Sequence, residues 1–481
     1  MSIKVRNPRT GQYDYEFTPP TQAELQDVAQ RLRQHQPAWA ALSVAARCEV
    51  LQRWQAALTE QRASILAALT ADTGRYLLST IEVDGVIRAL ERWCKLAPTL
   101  LQEQEQQSAA MPSISFRTQY VPYALVGVIS PWNFPMTLSL IDAIPALLAG
   151  CSVIIKPSDV TPRFAEPLRH SVAAVPELAA VLAIVPGAGA TGAALIEQVD
   201  AVCFTGSVKT GRLVAEACAR RFIPAFLELG GKDPVIVTAS AKLDQAAATV
   251  LRASVVATGQ ACQSLERVYV DAAVYDEFVK LLVAQAQQAT LNYPDIHQGQ
   301  IGPLIFERQA GIIAEQLAEA VAHGAQILCG GEIETHGGGQ WLRPTVVVNV
   351  NHSMRLLTEE TFGPVIPVMP YRTLDEAVAL ANDSVYGLSA AVIAGDLSEA
   401  ETIARRLDAG AISLNDGALT GMMYEAEKHS FKLSGLGGSR MGSASFLRFL
   451  RKKALLFQHG APMPLAALDE ALAQHNPAAR N

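Results

Sequence analysis

Ala124-Leu125-Val126-Gly127-Val128-Ile129-Ser130-Pro131-Trp132-Asn133-Phe134-Pro135 joins a short apolar run to a turn fixed by two prolines. The run carries no charge and reads as a buried strand, and helical spacing follows over 137–149. The rhythm continues with a strand at 152–155, a helix after Thr161, a strand at 182–185, a helix near 190–198 and a strand at 202–205. Strands that alternate with helices in this order predict a mainly parallel sheet covered by helices.

Past Gly230 and Gly231 the rhythm restarts with a strand at 234–237, a helix over 244–258 and a strand at 267–270. A second α/β unit is therefore expected to begin close to Gly230. Upstream, residues 21–107 read as a helical layer that opens on the capping box Thr21-x-x-Glu24. Residues 113–123 alternate apolar and polar side chains and read as an extended arm with little core of its own. Beyond Met441, residues 446–457 carry the basic run Arg451, Lys452, Lys453, which reads as a solvated face, and the segment after Gly460 reads as a loose tail.

A chain of 481 residues is long enough for several domains and a large buried interior. Half of its residues are hydrophobic and 18% are charged, which fits an ordered enzyme rather than a disordered chain. A net charge of -7 gives no general attraction to nucleic acid or acidic membranes. The seven cysteines are odd in number and form no C-x-x-C pair, so neither a disulfide framework nor a metal site is signalled. The most apolar stretch, 138–155, is interrupted by Asp142, Pro145 and Gly150, and no export signal opens the chain. A cytoplasmic location with reduced thiols follows as the expectation.

Three short segments carry chemistry. Gly259-Gln260-Ala261-Cys262 places a thiol in a turn between a helix and a strand. A lone cysteine there is more often a small core residue, so its company decides. Leu227-Glu228-Leu229-Gly230-Gly231-Lys232-Asp233-Pro234 sets a carboxylate among apolar neighbours at a strand end, which suits a general base, although Glu228 could equally cap a turn or pair with an arginine. Asn133 follows a strand at the edge where open α/β sheets bind ligands, and its amide could steady a developing alkoxide or simply pack the turn.

These segments, with the KPSD run at 156–159, FTGS at 204–207 and Glu359-Glu360-Thr361-Phe362-Gly363-Pro364, occur in one order, and together they resemble the aldehyde dehydrogenase superfamily over about residues 7–456. The resemblance implies an α/β fold with a Rossmann-like cofactor-binding domain (1–110 and 125–230), an α/β catalytic domain (231–435) and a small β oligomerisation arm (111–124 with 446–460), followed by the tail 461–481. It implies NAD(P)-dependent oxidation of an aldehyde to a carboxylic acid. Cys262 would form a thiohemiacetal and then a thioester, its thiolate accessible near pH 7. Asn133 and the Cys262 N–H would hold the oxyanion, and Glu228 would activate the hydrolytic water. Lys156, Ser158, Glu360, Phe362 and Trp132 would surround the cofactor, and Gly206-Ser207 would approach its pyrophosphate. Asp159 would repel a 2′-phosphate, which favours NAD while leaving NADP open. In this family the arm at 113–123 and the strand at 450–457 pair between subunits, so a homodimer or homotetramer is expected.

Departures from the family pattern leave the substrate open. Gln263 follows the nucleophile where a small or aliphatic residue is usual, and the usual PFGG-x-K-x-SG-x-G appears as His429-Ser430-Phe431-Lys432-Leu433-Ser434-Gly435-Leu436-Gly437. No glutamate around Arg451 matches the auxiliary proton relay of some members. Leu138 and Ile141 suggest an apolar wall for an aromatic or medium aliphatic aldehyde, although core packing explains them equally well. A semialdehyde dehydrogenase, a coenzyme A-acylating enzyme and an inactive cofactor-binding scaffold are the competing readings.

Overall fold

The computed structural model describes residues 2–101 and 104–471. A hairpin of Ile3–Arg6 with Tyr13–Phe17 leads into the helices Gln22–Ala41, Val44–Glu60, Arg62–Thr73 and Tyr76–Leu100. The first helix opens on the expected reciprocal cap, with the Glu24 N–H donating to Thr21 Oγ1 at 3.2 Å and the Thr21 N–H to Glu24 Oε2 at 2.7 Å. The helical layer ends at Leu100 rather than near Gln107, because Glu105–Gln107 is a strand beside Ile114–Pro122. Its polar residues suit a helix locally, but the neighbouring strand satisfies their backbone groups instead.

Five parallel strands lie in the order Ala225–Glu228, Ala201–Thr205, Leu125–Ile129, Ser152–Lys156, Leu182–Ile184, and Gly435–Leu436 adds an antiparallel edge. Side chains alternate between two cores, as the period of a strand requires. Val126 and Val128 pack with Trp54, Leu140 and Leu147 on one face, while Leu125 and Ile129 pack with Leu25, Leu32 and Leu195 on the other. The C-terminal ends of Leu125–Ile129, Ser152–Lys156 and Ala201–Thr205 therefore lie along one edge.

At Gly230 and Gly231 the chain leaves this sheet and enters a second at Asp233–Val237. The second sheet runs Gln326–Cys329, Thr345–Val348, Val365–Tyr371, Leu265–Asp271, Asp233–Val237, Ser389–Ile393, Ala411–Leu414, with only the first strand antiparallel. The helix expected over 244–258 stops at Val255. Ala257, Thr258 and Gly259 adopt positive φ, which turns the chain toward Cys262 and cannot continue a right-handed helix.

The arm corrects an expectation. Leu450–Gln458 pairs antiparallel with Ile114–Pro122 over nine residues of the same chain, so this pairing needs no second subunit. Phe446 and Phe449, both fully buried in the first core, anchor the return of the chain to its own arm. Arg451, Lys452 and Lys453 are exposed. The expected tail continues past residue 471, outside the described residues. No helix among the described residues is long and apolar enough to cross a membrane.

Candidate active site

The turn after Leu125–Ile129 points Asn133 into the interior, where it is 4% exposed. Its Nδ2 donates to the carbonyl of Gln260 at 3.0 Å, two residues before Cys262. An amide nitrogen has two N–H groups, so this bond fixes the side chain and leaves one donor. The missed residue here is Arg75, fully enclosed at the start of the helix Tyr76–Leu100. Its guanidinium donates to the carbonyls of Asn133 and, at 3.3 Å, Ala257, tying the asparagine turn to the cysteine loop. Burial lowers its pKa to about 10, which still leaves it charged.

The cysteine loop is held from three sides. Gln260 Nε2 donates to the carbonyls of Ala257 and Pro303, both at 3.1 Å, and its Oε1 accepts from the Ile305 N–H at 2.9 Å. Thr258 Oγ1 exchanges hydrogen bonds with the Gly302 backbone. On the third side the backbone of Cys262 rests on Gly231, where a Cβ would stand 2.6 Å from the Cys262 carbonyl oxygen. The two glycines after Glu228 thus admit the Cys262 loop and, at Gly230, the Glu360 carboxylate.

Glu228 ends its strand half-buried, and Ser430 Oγ donates to its Oε2 at 2.8 Å. No arginine pairs with it among the described residues. Ser430 lies in the segment that departs from the family pattern, where its role was not foreseen. Glu360 Oε1 accepts from the Gly231 N–H at 3.1 Å, and burial with Glu266 nearby raises its pKa to about 8.

The thiol of Cys262 differs from expectation. Its surface is only half-buried, yet the surrounding protein pushes its pKa up to about 12. Desolvation is the main cause; Glu360, Asp233 and Glu228 add to it, and Lys428 opposes it. A thiol with three carboxylates in range stays protonated near pH 7, so nucleophilic attack needs a proton acceptor.

Glu266 organises the segment opposite. Its carboxylate accepts from the Thr361 and Phe362 N–H groups, each at 2.8 Å, and from Lys232 Nζ at 2.7 Å in a buried ion pair. Three donors compensate a carboxylate that burial would otherwise penalise, and they hold Phe362 at φ 54°. Phe362 meets Trp132 edge-on at 5.3 Å, with Phe306 6.0 Å beyond. The charged pair Glu266-Arg267 at the head of an apolar strand was the visible signal for this network.

The remaining residues lie along the parallel-strand edge. Lys156 is buried at the end of its strand, donating to the carbonyls of Pro157 at 2.9 Å and Gly187 at 2.6 Å; burial lowers its pKa to about 8 against the pull of Asp159. Ser158 is buried and accepts from the Val160 N–H, while Asp159 is half-buried. Gly206 precedes Ser207, whose hydroxyl caps the helix Val208–Arg221. A capped helix of 14 residues at a sheet edge presents free N–H groups and a positive dipole end.

Ile141 lines a cavity of about 280 Å³ with Trp93, Leu96 and Tyr424, but Arg92 and Arg440 line it too, so its wall is mixed rather than apolar. Leu138, one turn earlier and half-buried, is not part of that wall. Gln263 accepts from Thr420 Oγ1 at 2.9 Å, which ties the residue after Cys262 to the turn Leu419–Gly421.

A family model described as "Aldehyde dehydrogenase family" matches residues 1–455. A Mycolicibacterium smegmatis protein provisionally named succinate-semialdehyde dehydrogenase (NADP(+)) is 37% identical over 431 residues, 88% of this chain and 83% of that one. The structure of PutA from Anabaena variabilis, provisionally named an aldehyde dehydrogenase, matches with a TM-score of 0.95 and 53% identity, covering 97% of this chain and 99% of that one. The aldehyde dehydrogenase of Mycobacterium tuberculosis complexed with NAD+ matches with a TM-score of 0.89 at 29% identity over 96% of each chain.

Proposed function

The chain belongs to the aldehyde dehydrogenase family and oxidises aldehydes with NAD(P), and from that premise we propose that Cys262 is the nucleophile, Glu228 the base and Asn133 the oxyanion donor. One observation carries the proposal: the loop bearing Cys262 is clamped between the Asn133 amide and Gly231, three residues after Glu228.

Glu228 would take the thiol proton as sulfur adds to the carbonyl carbon, which answers the high pKa of a thiol ringed by carboxylates. The free N–H of the Asn133 amide and the Cys262 N–H would then hold the alkoxide of the thiohemiacetal, each donor worth about 3 kcal/mol where water is excluded. NAD(P), when bound, accepts the hydride that this adduct releases. The thioester left on Cys262 is open to water; Glu228, steadied by Ser430 and having first released the thiol proton to solvent, would remove the proton of that water as the C–S bond breaks, the acid departs and the Cys262 sulfur is reprotonated.

The donor set along the strand edge fits a dinucleotide. The capped end of Val208–Arg221 suits a pyrophosphate, Lys156 and Glu360 suit ribose hydroxyls, and Trp132 with Phe362 offers aromatic walls to a nicotinamide. The six-stranded unit with the helical layer would hold the cofactor, and the seven-stranded unit would hold the nucleophile. Asp159 beside Lys156 favours NAD over the phosphorylated nucleotide, although the mycobacterial relative carries NADP(+) in its name. We also propose a homodimer or homotetramer built through the arm, where Leu450–Gln458 is an edge strand with Leu456 exposed.

The test is a Cys262→Ala protein assayed with an aldehyde panel and both nucleotides. Loss of nucleotide reduction with the fold intact is expected; continued turnover would sink the proposal. Formation of free acid without added coenzyme A separates hydrolysis from acyl transfer.

A further inference from the structure

The helix Pro135–Ala149, which follows the Asn133 turn, starts without a cap of its own. Phe134 before it has no side-chain oxygen to offer, so the N–H groups of the first turn need acceptors from elsewhere. The interior provides one from 55 positions upstream: Glu82 Oε2 accepts from the Thr137 N–H at 3.0 Å. Glu82 is only 3% exposed, and its carboxylate also faces the positive end of the helix dipole.

The other end of residues 133–137 is held from the same place. Arg75 stands just before the helix Tyr76–Leu100 and Glu82 lies two turns along, a spacing that brings both side chains to one face. The Arg75 guanidinium donates to the Asn133 carbonyl and lies 5.2 Å over the Phe134 ring, while Glu82 takes the Thr137 N–H. Arg75 Nε and Glu82 Oε1 are buried with no hydrogen-bond partner among the described residues, and neither side chain forms an ion pair there. Enclosing two charges without pairing them is unfavourable, and apolar side chains would fill the same space more stably. What the charged groups supply, and apolar ones do not, is a fixed path for the backbone from Asn133 to Thr137.

We propose that Glu82 is a positioning residue for the oxidation: with Arg75 it grips residues 133–137 at both ends and so aims the free N–H of the Asn133 amide at the oxygen of the reacting carbonyl. The inference rests on the oxyanion role proposed above for Asn133. One Asn133 N–H is engaged by the Gln260 carbonyl at 3.0 Å, so the direction of the other follows the backbone that carries it. A displacement of about 1 Å at such a donor lowers the rate by about 100-fold. Burial raises the Glu82 pKa to about 7, opposed by the Thr137 N–H and Arg75, so charged and neutral carboxyl forms coexist near neutrality and both offer Thr137 an acceptor. Glutamine copies the neutral form, whereas methionine copies the shape alone.

The experiment compares full-length wild type, Glu82→Gln, Glu82→Met, Asn133→Ala and the Glu82→Met, Asn133→Ala double variant on the aldehyde that wild type oxidises best. Glu82→Met is expected to lose about 30-fold in kcat/KM for the aldehyde, with KM for the nucleotide changed less than about 3-fold, and Glu82→Gln to stay within about 3-fold of wild type. Asn133→Ala is expected to lose about 100-fold, and adding Glu82→Met to it less than about 3-fold more, because the group being positioned is already gone. A second readout needs no turnover: hydrogen exchange followed by mass spectrometry should be faster over residues 133–140 in Glu82→Met than in wild type or Glu82→Gln. Glu82→Ala, which leaves room for water, takes the place of the methionine variant should that fail to fold. A full 30-fold loss on top of Asn133→Ala, a nucleotide KM that rises as the rate falls, a glutamine variant as slow as the methionine one, or unchanged exchange over 133–140 overturns the positioning role while leaving the oxyanion reading intact. Wild-type kinetics in Asn133→Ala overturn the oxyanion reading itself, and the role of Glu82 falls with it.

Discussion

Gly259 rests its α-carbon on the carbonyl of Gly363, so the loop carrying Cys262 and the loop carrying Glu360 and Phe362 meet through two glycines. A Cβ at Gly259 would overlap that carbonyl and stand 2.6 Å from the Pro364 nitrogen, and the residue already sits at φ +68°. The left-handed conformation alone costs an alanine about 1–2 kcal/mol, and backbone overlap adds to it. Gly259→Ala is therefore expected to lose about 2–4 kcal/mol of stability and about 100-fold in kcat/KM. Calorimetry with steady-state kinetics checks both, and a variant with native values would contradict the contact.

The protonated state of Cys262 predicts a pH profile. With its pKa raised to about 12, iodoacetamide labelling of the free protein should climb about tenfold per pH unit between pH 7 and 10 without a plateau. Mass spectrometry of the labelled peptide, with Cys262→Ala as the blank, measures it. A plateau below pH 8 would mean that the cation nearby outweighs burial.

Ser430 holds Glu228, and removing its hydroxyl should impair the steps that use this carboxylate. One hydrogen bond of this kind is worth about 0.5–1.5 kcal/mol, so Ser430→Ala should lower kcat by about 3- to 10-fold. If hydrolysis becomes limiting, a burst of reduced nucleotide will precede the steady state. An unchanged kcat with no burst would show that Glu228 is positioned by its strand alone.

Glu360 links acidity to stability. Its folded pKa of about 8 lies above the ordinary glutamate value, so the folded state holds the proton more tightly than the unfolded chain. Its contribution is fully present at low pH and falls as pH rises from the ordinary glutamate range through about 8. Glu360→Gln, neutral throughout, should gain stability relative to wild type across that window and hold a constant difference above it. Urea unfolding at a series of pH values reads this, and a pH-independent difference would remove burial as the dominant influence.

Local order was legible in the residues. Apolar runs such as 124–129 and 152–155 specify strands whatever surrounds them, because only burial on both faces suits them, and Thr21 with Glu24 caps a helix through neighbours three apart. The motifs around Asn133, Glu228 and Cys262 likewise carried their chemical types in plain view. What tertiary structure alone decided was which distant groups share a space. Arg75 ties together Asn133 and Ala257, Ser430 reaches Glu228 across 202 positions, and Glu266 holds Thr361 and Phe362 across 95 and 96. The strand Leu450–Gln458 found its partner in its own chain, an outcome fixed by the burial of Phe446 and Phe449 rather than by either strand's composition. Sequence pattern encodes what a residue does to its neighbours along the chain, whereas desolvation and the pairing of charges depend on what folding brings from elsewhere. That is why Cys262 could be singled out from its motif while the burial and the neighbouring charges that raise its pKa could not.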